Sequence, residues 1–229
     1  MTDSHPSEKM DTKSARAEIL SRICSITSAR PQAKSASESW RAIPRAYQQT
    51  GALDSTGCIE LLEDRLRDYG AGVHRTTSKQ ISHTVAVILS QRSKHRLVVP
   101  PGIHSAWLPS EFSFVPDDMV SYPALDACDG VLTGCTVAIA TTGTLALCHG
   151  PGSGQTQGRR AITLIPDYHL CIVARSEVVE TVPDAMHVLE PYRQQPITLI
   201  SGPSATADIE MTRIQGVHGP RVLDVVLVE

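Results

Sequence analysis

Near the C-terminus, two apolar runs, 196–200 and 222–228, bracket a polar stretch, 202–220, that contains Gly202, Ser204, Thr206, Asp208, Glu210, Arg213, His218 and Gly219-Pro220. Two closely spaced carboxylates and a histidine are residue types of proton transfer, so Asp208, Glu210 and His218 are the catalytic candidates. If the stretch is extended, Asp208 and Glu210 share a face with Ser204 and Thr206; in a helical turn they diverge. We read a turn or short helix with Ser204 or Thr206 near its start, whose amides are open to an anion. The structural alternative is that Asp208 caps the turn and Glu210 pairs with Arg213.

Two further stretches carry binding chemistry. Thr142-Gly143-Thr144 joins a residue that lets backbone approach a ligand to hydroxyls that bind phosphate or carboxylate oxygens, although the same tripeptide also serves as a plain β-turn. The glycine-rich stretch 150–158 is followed by Arg159 and Arg160. It fits neither G-x-x-x-x-G-K-[ST] nor G-x-G-x-x-G, which argues against a nucleotide P-loop. It reads instead as a flap or a solvated loop, with Arg160 placed to fork onto a carboxylate or phosphate. With Gly202, Ser204 and Thr206, these residues form the expected ligand-binding set. His169, just ahead of a strand, is a secondary candidate, and Cys128 and Cys135 have no histidine near them in sequence.

The elements that must position these groups alternate between helical and β-branched patterns. Apolar spacing predicts helices over 14–27, 55–69, ending at Gly70 in the manner of a glycine C-cap, and 78–90, a short one around Leu125, and one over 176–189 that Pro183 divides. Strands are expected at 71–76, 96–100, 130–132, 136–140, 144–148, 170–175, 196–200 and 222–228. Alternation of this kind predicts an α/β fold with a largely parallel sheet covered on both faces. The polar stretch 202–220 then falls at a sheet edge, where open α/β sheets bind ligands. Residues 1–12 are expected to be disordered, and 13–229 to form one domain in which 13–50 supply an N-terminal helix and a wrapping arm.

Composition narrows the function classes. The 229 residues carry a formal net charge of -3, a pI near 6.3, no dense basic block and 4% aromatics, which argues against nucleic acid as a partner. The start is polar, and no run approaches the roughly 20 apolar residues that span a bilayer, so a cytoplasmic protein without membrane insertion is expected. Six scattered cysteines, with no C-x-x-C pair, predict neither an iron–sulfur cluster nor a structural zinc. No metal and no cofactor is expected.

Three ordered motifs, 129–144, 158–173 and 202–210 with 216–220, resemble the signature of the lactate-utilization protein C family, the LUD-domain proteins. The likeness extends through 14–22 and 61–75, nearly the whole chain. It departs at Thr141, where members commonly carry a glutamate, so no role of that carboxylate carries over. The resemblance implies a three-layer α/β/α fold like those of ribose-phosphate isomerase, glucosamine-phosphate deaminase and coenzyme-A transferases. It also implies a role in oxidising L-lactate to pyruvate beside iron–sulfur partner subunits. The alternative is a free-standing isomerase- or transferase-like enzyme, or a small-molecule sensor, for a phosphosugar, a coenzyme-A ester or a carboxylate.

Overall fold

The computed structural model describes residues 12–27, 35–150, 156–206, 214–215 and 219–229. The expectation for the extreme N-terminus therefore lies outside the described residues up to residue 11. The chain divides into two units, Met1–Tyr47 and Gln48–Glu229. The first contains helix α1 (Thr12–Thr27) and the short α2 (Ala36–Arg41), which opens on a capping box: Ser35 Oγ accepts from the Glu38 N–H at 3.2 Å and Glu38 returns a carboxylate oxygen to the Ser35 N–H at 2.8 Å.

In the second unit, Asp54 accepts from the Gly57 N–H at 2.8 Å and starts α3 (Ser55–Asp68). Gly70, at φ +86°, stops it, as the pattern predicts: its left-handed backbone lets the Ala71 N–H reach back to the Leu66 carbonyl at 3.0 Å. Strand β1 (Gly72–Thr76), helix α4 (Ile81–Arg92) and strand β2 (Arg96–Val99) follow, then β3 (Ser113–Pro116), the short α5 (Tyr122–Asp126) and β4 (Gly130–Gly134). Strands β5 (Val137–Ile139) and β6 (Thr144–Cys148) lead to β7 (Tyr168–Ala174), β8 (Val178–Val179), α6 (Val182–Leu189), β9 (Ile197–Ile200), the ribbon β10 (Ala205–Thr206) and β11 (Ile214–Gln215), and finally β12 (Val222–Val228).

The expected α/β class is what forms. Six strands in the order β1-β12-β7-β4-β2-β3 make a sheet whose pairings are all parallel. Its central strands read as near-continuous apolar runs because both faces are covered. On one face, α4 seats Ile81, Val85, Ile88 and Leu89 against Leu97, Leu132, Leu170, Ile172 and Val226. On the other, α3 contributes Cys58, Ile59, Leu62 and Leu66 to a core with Cys171, Val173, Val225 and Leu227.

Three features differ from the sequence reading. Strands β5, β6 and β9 leave the parallel sheet and, with β8, build a second sheet in the order β8-β5-β6-β9, which packs Ala138, Leu145 and Leu147 into the α3 core and its other face onto α6. The helix expected over 176–189 is a 3-10 turn, Arg175–Glu177, then β8, then α6. Pro183 opens α6 rather than dividing it, because in the first helical turn its missing N–H breaks no hydrogen bond, and Thr181 caps there by accepting from the Asp184 N–H at 3.3 Å. Strand β3, four residues ending on Pro116, is too short to show a period and forms because Arg96–Val99 offers it an open edge.

Candidate functional site

Where the two sheets meet, beside the starts of β7 and β12, lies a cleft of about 270 Å³ lined by residues that include Arg160, Thr163, His169, Thr198, Ser201, Gly202, Ser204 and Gly219. His169 and Leu223 are each the second residue of their strand, so the cleft adjoins the amino ends of the parallel strands. Doubly wound sheets commonly place ligands at the carboxyl ends. Here the second sheet supplies the opposite wall: β9 runs along the cleft, and the chain leaving it turns at Gly202.

Gly202 has a positional reason. At φ +84° it is in the left-handed region, and a Cβ there would sit 2.6 Å from the Cβ of Tyr69 at the end of α3. Any side chain would push the cleft wall off the helix. Ser204 is anchored in the same wall through its N–H to the Pro220 carbonyl at 2.9 Å.

The two adjacent arginines separate cleanly. Arg159 is committed to Asp117, with Nε and Nη2 at 2.7 and 2.9 Å from the two carboxylate oxygens, and it also donates to the Val120 carbonyl. Arg160 lies on the cleft, donates to Thr163 Oγ1 at 2.9 Å, and has no carboxylate within ion-pair distance among the described residues. A guanidinium without a counter-charge among the described residues, beside hydroxyls and a turn of backbone, is chemistry for a small oxyanion.

Two buried histidines flank it. His169, 1% exposed, places Nε2 at 2.8 Å from Thr133 Oγ1. His149, 2% exposed, places Nδ1 at 2.7 Å from the Gly158 carbonyl and Nε2 at 2.9 Å from Thr198 Oγ1, which reaches the cleft. A carbonyl only accepts, so His149 carries its proton on Nδ1 and takes the Thr198 hydroxyl proton at Nε2. Burial lowers its pKa, and the nearby charge of Arg160 acts in the same sense against the Gly158 hydrogen bond.

Of the residues singled out in the sequence, Arg160, Gly202 and Ser204, with the secondary candidate His169, line this cleft. Thr144 reaches its wall indirectly: its hydroxyl lies 2.8 Å from Ser201 Oγ and receives the Thr142 hydroxyl at 2.8 Å. Gly143 is placed elsewhere, with φ +59° and no room for a Cβ against Arg65 of α3, so its turn packs on a helix end. Thr206 pairs through its backbone with Ile214. Asp208, Glu210 and His218 lie outside the described residues. His149, Thr163, Thr198 and Ser201 were not singled out: Thr198 sits within an apolar run, and His149 and Thr198 meet only because Pro196 and Thr198 bring β9 alongside β6. Among the described residues, no group of three or more His, Cys, Asp or Glu is arranged to hold a metal ion, and no helix is long and apolar enough to cross a membrane.

Comparison with known proteins agrees with this architecture. The LUD domain model matches residues 59–228. Lactate utilization protein C of Deinococcus radiodurans is 37% identical over 95% of this chain and 97% of its own length, and the protein of the same name from Macrococcus caseolyticus is 26% identical over 79% of this chain and 81% of its own. A crystal structure of a DUF162 family protein from Deinococcus radiodurans superposes with a TM-score of 0.66 at 33% identity, covering 78% of this chain and all of that one.

Proposed function

Because the chain belongs to the LUD-domain family, we propose that it is an accessory subunit of a system that oxidises L-lactate to pyruvate beside iron–sulfur partner proteins, and that its cleft holds a small carboxylate or phosphate anion. The observation that carries the anion site is Arg160, a guanidinium on a cleft between the sheets whose neighbour Arg159 has taken the nearby Asp117. The relatives' name carries the pathway. The cysteine spacing supports the division of labour: Cys58, Cys128, Cys135, Cys148 and Cys171 are buried as small apolar residues, Cys135 beside Cys171, while cluster-bearing chains usually carry closely spaced cysteines.

Two measurements test the reading. Tagged chain recovered from its native cells during growth on lactate is expected to bring down iron–sulfur proteins. Arg160→Met is expected to abolish lactate-dependent growth without moving the melting temperature, because the side chain lies on the rim and supports no buried ion pair among the described residues. A purified, partnerless chain that turns over a phosphosugar or a coenzyme-A ester would replace this reading with that of a free-standing enzyme.

A further inference from the structure

The hydrogen bonds beneath the cleft run in one direction, and they fix where His169 holds its proton. The Cys171 thiol lies 3.6 Å from the Gly134 carbonyl, an obligate acceptor, so the thiol donates there. Thr133 Oγ1, 3.8 Å from the Cys171 sulfur, donates to it. With its single proton directed at sulfur, the Thr133 hydroxyl meets His169 as an acceptor, and the 2.8 Å contact is Nε2–H donating to Thr133. A neutral ring held in this way keeps its lone pair on Nδ1.

That nitrogen makes no hydrogen bond to the described residues, and the sealed, unsatisfied polar atoms are others: His74 Nε2, Gln157 Oε1 and Gln195 Oε1. Since His169 lines the cleft, Nδ1 opens onto it. Thr198 adds to the same polarity, because its hydroxyl proton is given to His149 and its oxygen faces the cleft as an acceptor. The cleft thus combines one cationic donor, Arg160, with two buried acceptors set by backbone carbonyls.

We propose that this cleft selects an oxyanion that carries a proton, hydrogen phosphate, with Arg160 on the anionic oxygens, His169 Nδ1 accepting the P–OH proton, and Thr133 positioning the ring. The proposal rests on the anion-site reading above and narrows it from small oxyanions to protonated ones. Sulfate has the shape and charge of phosphate but no proton at neutral pH, so against Nδ1 and the Thr198 oxygen it places acceptor against acceptor.

The test is titration of the full-length chain with inorganic phosphate and with sulfate at pH 7.5 and matched ionic strength, alongside nitrogen-15 spectra of the histidine rings. Phosphate is expected to bind at least about tenfold more tightly than sulfate, the scale of one hydrogen bond to an ionic partner. His169→Phe should bring phosphate down to the sulfate level, and Arg160→Met should remove both. Thr133→Val, close in shape to the native residue, guards against misfolding of the first variant: it should lower the phosphate preference and shift the His169 ring signals away from a pure Nε2–H form. Equal binding of the two anions, or a ring proton on Nδ1, overturns the proposal and leaves the oxyanion reading standing. Binding of neither anion overturns the proposal, and failure of lactate and pyruvate to bind as well overturns the anion-site reading.

Discussion

Arg92 on α4 and Asp224 on β12 meet in a two-point fork, with Nε at 2.8 Å and Nη2 at 2.7 Å from the two carboxylate oxygens, and Tyr168 adds its hydroxyl at 2.9 Å. The carboxylate is fully buried and the guanidinium side chain is 43% exposed. Strand pairing explains why it fits: Asp224 lies beside Gly72 of β1, where a Cβ would come within 1.9 Å of its oxygen. Burial by itself raises the pKa of Asp224, but the His74 ring 3.6 Å away, hydrogen bonds from Arg92 and Tyr168, and the Arg92 charge hold it well below the usual carboxylate range.

Asp224→Asn is therefore expected to destabilise the fold by about 3 kcal/mol at pH 7, near the low end for breaking a buried pair because Arg92 can rehydrate. A depressed carboxylate contributes stability that is fully present above its unfolded pKa, near 4, and is lost as pH falls through the folded value. Urea unfolding from pH 7 to pH 3 should show the wild-type and variant curves converging at the acid end. Parallel curves would remove the ion pair from the account of stability.

Glu177 behaves in the opposite sense. Its carboxylate accepts the Ala174 N–H at 2.8 Å, but burial, opposed by that bond, raises its pKa to about 7. A raised carboxylate contributes stability that is present below its unfolded pKa and is lost as pH rises through about 7. Glu177→Gln keeps an acceptor for Ala174 and removes the charge, so the variant should match wild type at pH 4 and exceed it at pH 8.5 by on the order of 2 kcal/mol.

Gly143→Ala tests whether the Thr142-Gly143-Thr144 turn is a helix contact. The new methyl would lie 2.8 Å from the Arg65 Cβ and 3.0 Å from its carbonyl carbon, at φ +59°. Left-handed strain together with a clash against backbone should cost about 2–3 kcal/mol and lower the melting temperature. Phosphate affinity, measured well below that temperature, should stay within about twofold, since the loss falls outside the cleft.

His149 should give the fold a second acid-sensitive component at milder pH. Its pKa is lowered, so its contribution is complete above the unfolded value, near 6.5, and is lost as pH falls through the folded one. His149→Phe removes the bonds to Gly158 and Thr198 and should destabilise by roughly 1–3 kcal/mol at pH 8, with the difference from wild type shrinking toward pH 5. A constant difference across that range would show that the imidazole does not titrate with unfolding.

Much of the scaffold was legible because local rules decide it. Gly70 ends α3, β-branched runs become β7 and β12, and helix–strand alternation yields a parallel sheet, each through propensities and periods that act over a few residues. Arg160, Gly202 and Ser204 were legible as a charged fork, a left-handed turn and a hydroxyl beside strand ends. What the sequence left open was long-range. That β12 inserts between β1 and β7, that β5, β6 and β9 peel away into a second sheet, and that the cleft therefore sits at the amino ends of the parallel strands are matters of pairing between segments up to about 150 residues apart, as in Gly72 with Asp224.

The same limit separates the two arginines and the histidines. Sequence places Arg159 and Arg160 side by side with equal chemistry, and only the fold, by delivering Asp117 to one of them, leaves the other for a ligand. The residue types determined that the chain could bind an anion. The tautomers of His149 and His169, and with them which anion the cleft prefers, depend on carbonyls of Gly158 and Gly134 that tertiary packing carries to the ends of two hydrogen-bond chains, and a carbonyl's reach is set by the fold rather than by its neighbours in sequence.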